Sequence, residues 1–162
     1  MRKTWIRIGT TLITIGVMVM IFCFSTEPAE KSDTTSGIIS KRVADAVRPG
    51  WDTLRQEEKK LFFDTVQYYV RKTAHFTEFA LLGFCLRICL ESWAGRKRGL
   101  SLFSWAGATG YAVLDEMYQR TVDGRSGQWQ DVLIDSSGVL TGALIAAAAL
   151  YLLLARRRSL EG

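Results

Sequence analysis

"GVLTGALIAAAALYLLL", residues 138–154, carries no charged side chain. It belongs to an apolar block running from Ile134 to Leu154. A helix needs about 20 apolar residues to cross about 30 Å of hydrocarbon, and this block has that length. Three similar blocks precede it: Trp5–Phe24, Ala74–Trp93 and Leu100–Tyr118. Hydrophobic residues make up 48% of a 162-residue chain, long enough for one domain, and they gather in these blocks. The pattern predicts an all-α, four-span transmembrane helical bundle. Residues 1–162 then form a single membrane domain with spans near 5–24, 74–93, 100–118 and 134–154 and an outer loop over 25–73. The middle two blocks are less pure, since His75, Glu78 and Arg87 interrupt one of them. The alternative is a soluble helical bundle with an N-terminal anchor.

The first block follows Arg2 and Lys3, as a secretory signal would. It is long for a signal, and Phe22-Cys23-Phe24 lacks the small residues a cleavage site requires. An uncleaved anchor is expected. Cys23, Cys85 and Cys89 all lie inside apolar blocks, where buried helix positions are expected rather than a disulfide framework or a metal site.

The net charge of +5 acts first as a topology signal. Lys and Arg near span ends favour the cytoplasm. Three compact clusters fall on one side if both termini are inside: Arg2, Lys3 and Arg7; Arg96-Lys97-Arg98; and Arg156-Arg157-Arg158. Arg71 and Lys72 count against this orientation, but the long 25–73 segment nearly balances its cations with carboxylates. The expected arrangement is multi-pass, with both termini cytoplasmic. The clusters are short and lack interleaved aromatics, so no nucleic-acid partner is expected.

In the outer loop, Ile38, Ile39, Val43, Ala46 and Val47 recur at helical spacing between Ser36-Gly37 and Pro49-Gly50. They predict a short amphipathic surface helix. A second helical pattern begins near Gln56 and meets no breaker before the second span, so one or two amphipathic helices are expected here.

Polar side chains concentrate at one end of the bundle. In "VRKTAHFTEFALLGF", residues 70–84, Arg71, His75 and Glu78 share about 60° of helical arc, with Lys72 at the flank. His75 is the only histidine in the chain. The third block ends in "LDEMYQR", residues 114–120, which places Asp115 and Gln119 one turn apart with Glu116 beside them. The fourth opens with "WQDVLIDSSGVLTG", residues 129–142, in which Asp131, Asp135, Gly138 and Gly142 share a stripe. The glycines permit close approach of another helix. Because consecutive spans alternate direction, these groups meet at one face, and the charge pattern makes that face the outer one. Arg125, in the connecting loop, is a candidate bidentate partner for a carboxylate or a phosphate.

These motifs resemble the VanZ-like family of bacterial membrane proteins. The family pattern is a K-x-x-H-F-x-E-[FY] segment, a D-E-x-x-Q segment, and R-x(5)-D-x(3)-N-x-x-G. Lys72, His75, Phe76, Glu78, Phe79, Asp115, Glu116, Gln119, Arg125, Asp131 and Gly138 match in type and spacing, and the likeness covers roughly residues 12–155. Two segments depart. Phe24-Ser25-Thr26-Glu27 stands where the family has Phe-Ser-Ser-Gln, and Asp135 stands where it has Asn. Each puts an acid where an amide is usual. The founding member is named for resistance to the glycopeptide teicoplanin, which implies a connection with the cell envelope.

The combined expectation is an envelope protein with a polar pocket that binds or transforms an anionic lipid or wall precursor. Its catalytic candidates are His75, Glu78, Asp115, Glu116 and Asp131, with His75 and Glu78 one turn apart as acid and base. Lys72, Gln119, Arg125 and Asp135 are the substrate-binding candidates, Lys72 and Arg125 holding phosphate. The carboxylates orient these groups or hold a divalent cation. One histidine among carboxylates is no zinc signature, and Mg²⁺ or Mn²⁺ suits oxygens better, so no metal ligand is assigned and no cofactor is named. The expected partners are the bilayer and an envelope lipid or glycopeptide. Two other classes remain open. One is a non-catalytic module that binds a glycopeptide or lipopeptide through Trp51, Tyr68, Tyr69, Tyr118 and Trp129. The other is a structural protein whose ion-pair network only fixes the bundle.

Overall fold

A computed structural model describes residues 2–125 and 127–161. Ser126, in the sequence next to Arg125, lies outside the described residues, as do the side chains of Arg2, Arg157 and Arg158 from the basic clusters. Among the described residues the chain folds as five α-helices and a short 3-10 turn, with no strand. The helices are α1 (Arg2–Ser25), α2 (Ala29–Val47), α3 (Gln56–Ala94), α4 (Leu100–Gln119) and α5 (Trp129–Glu161), and the 3-10 turn is Trp51–Thr53.

Three of these are long and apolar enough to cross a membrane: Lys3–Ser25, Gln56–Ala94 and Trp129–Arg156. The expected third span forms a helix, α4, but falls short of that standard. Its run is diluted by Ser101, Ser104, Gly107, Thr109 and Gly110 and ends in Asp115 and Glu116. Ser104, Ala108, Ala112, Asp115 and Glu116 are all buried. Small and polar residues let α4 fit closely among its neighbours, which lowers its apolarity.

The second helical pattern runs without a break into the second apolar block, as one 39-residue helix. At 1.5 Å per residue this is about 58 Å long, roughly twice a hydrocarbon core. Its N-terminal half carries a small core of its own, in which Trp51, Ala44 and Val66 are buried with Phe62 and Phe63 against them. Helix α2 packs there. It begins at Ala29, well before the expected start near residue 38. Pro28 serves as its N-cap residue, and Gly37 sits in mid-helix with open space around it, so Ser36-Gly37 does not act as a boundary.

The main core joins Val17 and Ile21 of α1, Phe79 and Leu82 of α3, Ala108 and Ala112 of α4, and Val139 of α5. Large apolar side chains such as Leu12, Phe103, Leu114, Leu144 and Leu152 point outward instead. An interior of small and polar residues beneath an apolar exterior is the arrangement of helices packed in lipid. Helices α3 and α5 come closest. A Cβ on Gly142 would collide with the Ala80 carbonyl, one on Gly138 with the Phe76 carbonyl, and one on Gly83 with Val139 backbone. The glycine stripe read from the sequence therefore faces α3. The cysteines are free; Cys89 is buried, Cys85 half-buried and Cys23 exposed.

Candidate functional site

The start of α3's apolar half, the end of α4 and the start of α5 lie at one end of the bundle. All nine expected site residues fall there, yet they divide into groups with different partners.

Asp115, Gln119 and Arg125 hold the frame together. Ser25 Oγ, at the end of α1, donates to Asp115 Oδ2 at 2.7 Å, and Gln119 Nε2 donates to the same oxygen at 3.0 Å. Asp115 and Ser25 are both buried. Arg125 donates from Nη2 to the Phe24 carbonyl and from Nε to the Glu27 carbonyl, each at 3.0 Å. Its guanidinium thus caps the C-terminal end of α1, where carbonyls lack helical partners. Burial, and then the neighbouring Arg71, pull its pKa below the ordinary arginine value, and it stays charged. The bidentate partner expected for Arg125 is backbone rather than a carboxylate or phosphate.

Lys72 and Asp131 form an ion pair between α3 and α5, and the Lys72 ammonium also lies 5.2 Å from the centre of the Tyr68 ring. Arg71 pairs with Asp33 of α2 at 2.9 Å, and both side chains are substantially exposed.

His75, Glu116 and Asp135 form the third group, one residue from each of α3, α4 and α5. One donor atom from each lies within 4.8 Å of the others. His75 Nδ1 is 3.6 Å from Asp135 Oδ1. Asp135 is fully buried, and neither of its oxygens accepts a hydrogen bond. Glu116 accepts the Gln128 backbone N–H through Oε2 at 2.9 Å, while its Oε1 accepts none. Glu78, one turn from His75 on the same helix, forms no ion pair among the described residues. It is half-buried and lines a groove.

Two cavities meet at this end. One, of about 320 Å³, is mostly polar and is lined by Lys72, Gln119, Gln128 and Asp131 among others. The other, of about 290 Å³, is mostly apolar and reaches Phe24, Ile39, Val70 and Glu78. Arg71, His75 and Arg125 border both.

Some participants were given no role by the sequence. Ser25 stands in the run compared with the family's Phe-Ser-Ser-Gln, but nothing there names Asp115 as its partner. Arg71 reads as an interfacial cation, yet it borders both cavities with only an exposed partner. At the far end, Arg87 pairs with Glu91 at 2.7 Å, a near-buried ion pair where only surface basic clusters were expected. Of the aromatics considered for drug binding, Trp51 is buried against Phe62 and Phe63, whereas Tyr68, Tyr69, Tyr118 and Trp129 are exposed.

No curated protein and no solved structure was found to match the chain. A family model described as VanZ/LLP1 matches residues 10–153, a span that contains every residue of the clasp around Asp115, the Lys72–Asp131 pair and the His75 cluster, together with all or most of each of the three apolar helices fit to cross a bilayer. The chain is a membrane protein of the VanZ/LLP1 family.

Proposed function

We propose that this protein binds an envelope amphiphile with an anionic headgroup, at the outer face of a four-span bundle in the bacterial cytoplasmic membrane. One observation carries this: a polar cavity and an apolar groove share Arg71, His75 and Arg125 as their common wall. A lipid or lipid-linked wall precursor has that same duality, with a charged head joined to an apolar tail.

Arg71 is the cation best placed for the headgroup. Lys72 is held by Asp131 and Arg125 by the end of α1, whereas Asp33 is an exposed partner for Arg71. Exposed ion pairs contribute about 0–1 kcal/mol, so a phosphate can displace Asp33 at little cost. His75 and Glu78 border the apolar groove near this junction and are the groups in reach of a phosphoester for acid–base chemistry.

The four spans are α1, the apolar half of α3, α4 and α5. Residues 1–162 form one domain, and the Arg/Lys clusters put both termini in the cytoplasm. Helix α2 lies on the outer membrane surface with Ile38, Ile39 and Val47 exposed. The teicoplanin link that the family resemblance implies then runs through a change in an envelope lipid or wall precursor, or in drug access to it. A second reading has its own support. The contacts of Asp115 and Arg125 are those of a clasp, which fits a protein whose polar network only fixes the bundle.

The test is lipid binding by purified protein in detergent, with phosphatidylglycerol and phosphatidylcholine as probes. A preference of about tenfold or more for the anionic lipid, lost in Arg71→Gln, supports the proposal. Equal binding of the two lipids, or a preference unchanged in Arg71→Gln, rejects it.

A further inference from the structure

We propose that His75 Nδ1, Glu116 and Asp135 ligate a single divalent first-row metal ion, Mn²⁺ or Zn²⁺, at the polar end of the bundle. The donors come from three helices, and their ligand atoms lie within 4.8 Å of one another. Donors bonded to one ion at about 2.1 Å are at most about 4.2 Å apart, so sub-ångström adjustments bring them to it. The backbone already fixes their approach. Gly138, one turn after Asp135, packs on the Phe76 carbonyl beside His75.

An independent observation points to a ligand. Asp135 is 0% exposed and Glu116 2% exposed. Both oxygens of Asp135, Oε1 of Glu116 and Nδ1 of His75 have no hydrogen-bond partner. Buried polar atoms are nearly always satisfied, and here several of them face the same small volume. The nearby cations are engaged elsewhere: Lys72 with Asp131, Arg71 with Asp33, and Arg125 with the Phe24 and Glu27 carbonyls. Asp115 has Ser25 and Gln119 on Oδ2, and only its Oδ1 lacks a partner. Among the described residues, Glu116 and Asp135 are left with no cationic neighbour but His75. A dication bound to two carboxylates and a neutral imidazole gives a group of zero net charge, the state a low-dielectric interior favours.

The donor set selects the ion. Ca²⁺ takes six to eight oxygens and Mg²⁺ retains most of its waters, so neither has much use for an imidazole. A lone histidine in the sequence is no zinc signature, but one nitrogen and two carboxylates converging from three helices are donors that both Mn²⁺ and Zn²⁺ accept. The Gln128 N–H on Glu116 Oε2 leaves Oε1 for the metal, in the manner of outer hydrogen bonds that orient ligands. His75 borders both cavities, so the ion's remaining positions adjoin the headgroup space. The proposal stands apart from amphiphile binding, because the ion is counted with no lipid ligand added.

The experiment uses the full chain, purified without a polyhistidine tag, stripped with chelator and dialysed against Mn²⁺ or Zn²⁺. Elemental analysis should find about one ion per chain, and less than a tenth of that in His75→Gln, Glu116→Gln and Asp135→Asn. Glu58→Gln, at an exposed ion pair with Arg55, should hold as much as the parent. Melting temperature should rise with metal in the parent and not in the three variants. Pulsed electron paramagnetic resonance of the Mn²⁺ form should detect one imidazole nitrogen, which needs no variant because His75 is the only histidine. A folded parent that takes up no ion overturns the proposal, and shows that protons neutralise these carboxyls. An ion without nitrogen coupling, or one retained in all three variants, overturns it as well.

Discussion

Ser25 Oγ donates a 2.7 Å hydrogen bond to Asp115 Oδ2, and both residues are 3% exposed. Ninety positions separate them in the chain. The bond fastens the end of α1 to the last turn of α4, and Arg125 caps the same end of α1 from the α4–α5 loop. The polar end is therefore a closed clasp built on one carboxylate and one guanidinium. Asp115 Oδ2 is taken up by two donors, while its buried Oδ1 has none; the proposed acid–base and metal-binding roles fall to His75, Glu78, Glu116 and Asp135.

Removing Ser25 Oγ should weaken the fold. Ser25→Ala leaves a buried carboxylate with one donor fewer, a loss of about 1–3 kcal/mol. Thermal melting in detergent should show a clear drop, whereas Thr26→Ala, at an exposed hydroxyl bonded to the Cys23 carbonyl, should stay within about 0.5 kcal/mol of the parent. Equal melting temperatures for both variants would remove the clasp from the account.

The glycines of α3 and α5 should be sharply unequal to those elsewhere. Gly142→Ala puts a methyl into the Ala80 carbonyl, and Gly83→Ala puts one into Val139 backbone. Both should lose most of the folded protein, read as monodisperse yield. At Gly110 a Cβ meets nothing within 4 Å, so Gly110→Ala should be neutral or gain up to about 1 kcal/mol from helix propensity. A tolerant Gly142 would mean that α3 and α5 pack less closely than this.

Lys72 and Asp131 should behave as a coupled pair. Their side chains are 19% and 12% exposed, so removing one partner strands the other in a partly dry site. Lys72→Met and Asp131→Asn should each destabilise, and the double variant should be less unstable than their sum. A coupling of about 1–2 kcal/mol in the thermodynamic cycle is expected, reduced in high salt. Simple additivity would make the pair incidental.

Glu78 should separate chemistry from structure. It forms no ion pair among the described residues and lines the groove, so Glu78→Gln should melt within about 0.5 kcal/mol of the parent. Lipid profiles of membranes with and without the protein should differ, and Glu78→Gln should erase that difference at unchanged expression. An intact profile in this variant would end its acid–base role.

Orientation is testable with single cysteines in a background lacking Cys23, Cys85 and Cys89. Thr34 and Lys97 are exposed and fall on opposite sides of the proposed topology. Intact cells should label Thr34→Cys and not Lys97→Cys. Gly99 is a poor reporter, because its φ of 86° is strained for any side chain. The reverse labelling pattern would turn the polar end towards the cytoplasm.

The amino-acid sequence by itself determined the helices, the polar end and the glycine stripe. Hydropathy and helical period are local sums, and each block contains its own answer. Asp131, Asp135, Gly138 and Gly142 share a stripe whatever lies opposite, and all are buried in the fold. The extent of α2 escaped the sequence because a Gly in mid-helix costs only about 0.5–1 kcal/mol, too little to end the helix at Gly37. Tertiary structure alone decided which group meets which. His75 and Glu78 lie one turn apart on one helix, so their side chains run side by side and need not touch; the partner of His75 comes from α5. That choice depends on how α3 and α5 are rotated about their axes, and the rotation is set by Gly83, Gly138 and Gly142 admitting the facing backbone. The same packing brings Glu116 to His75 and Asp135, and the loop geometry turns Arg125 onto α1. Such pairings depend on sub-ångström contacts between segments distant in the chain, which no local pattern records.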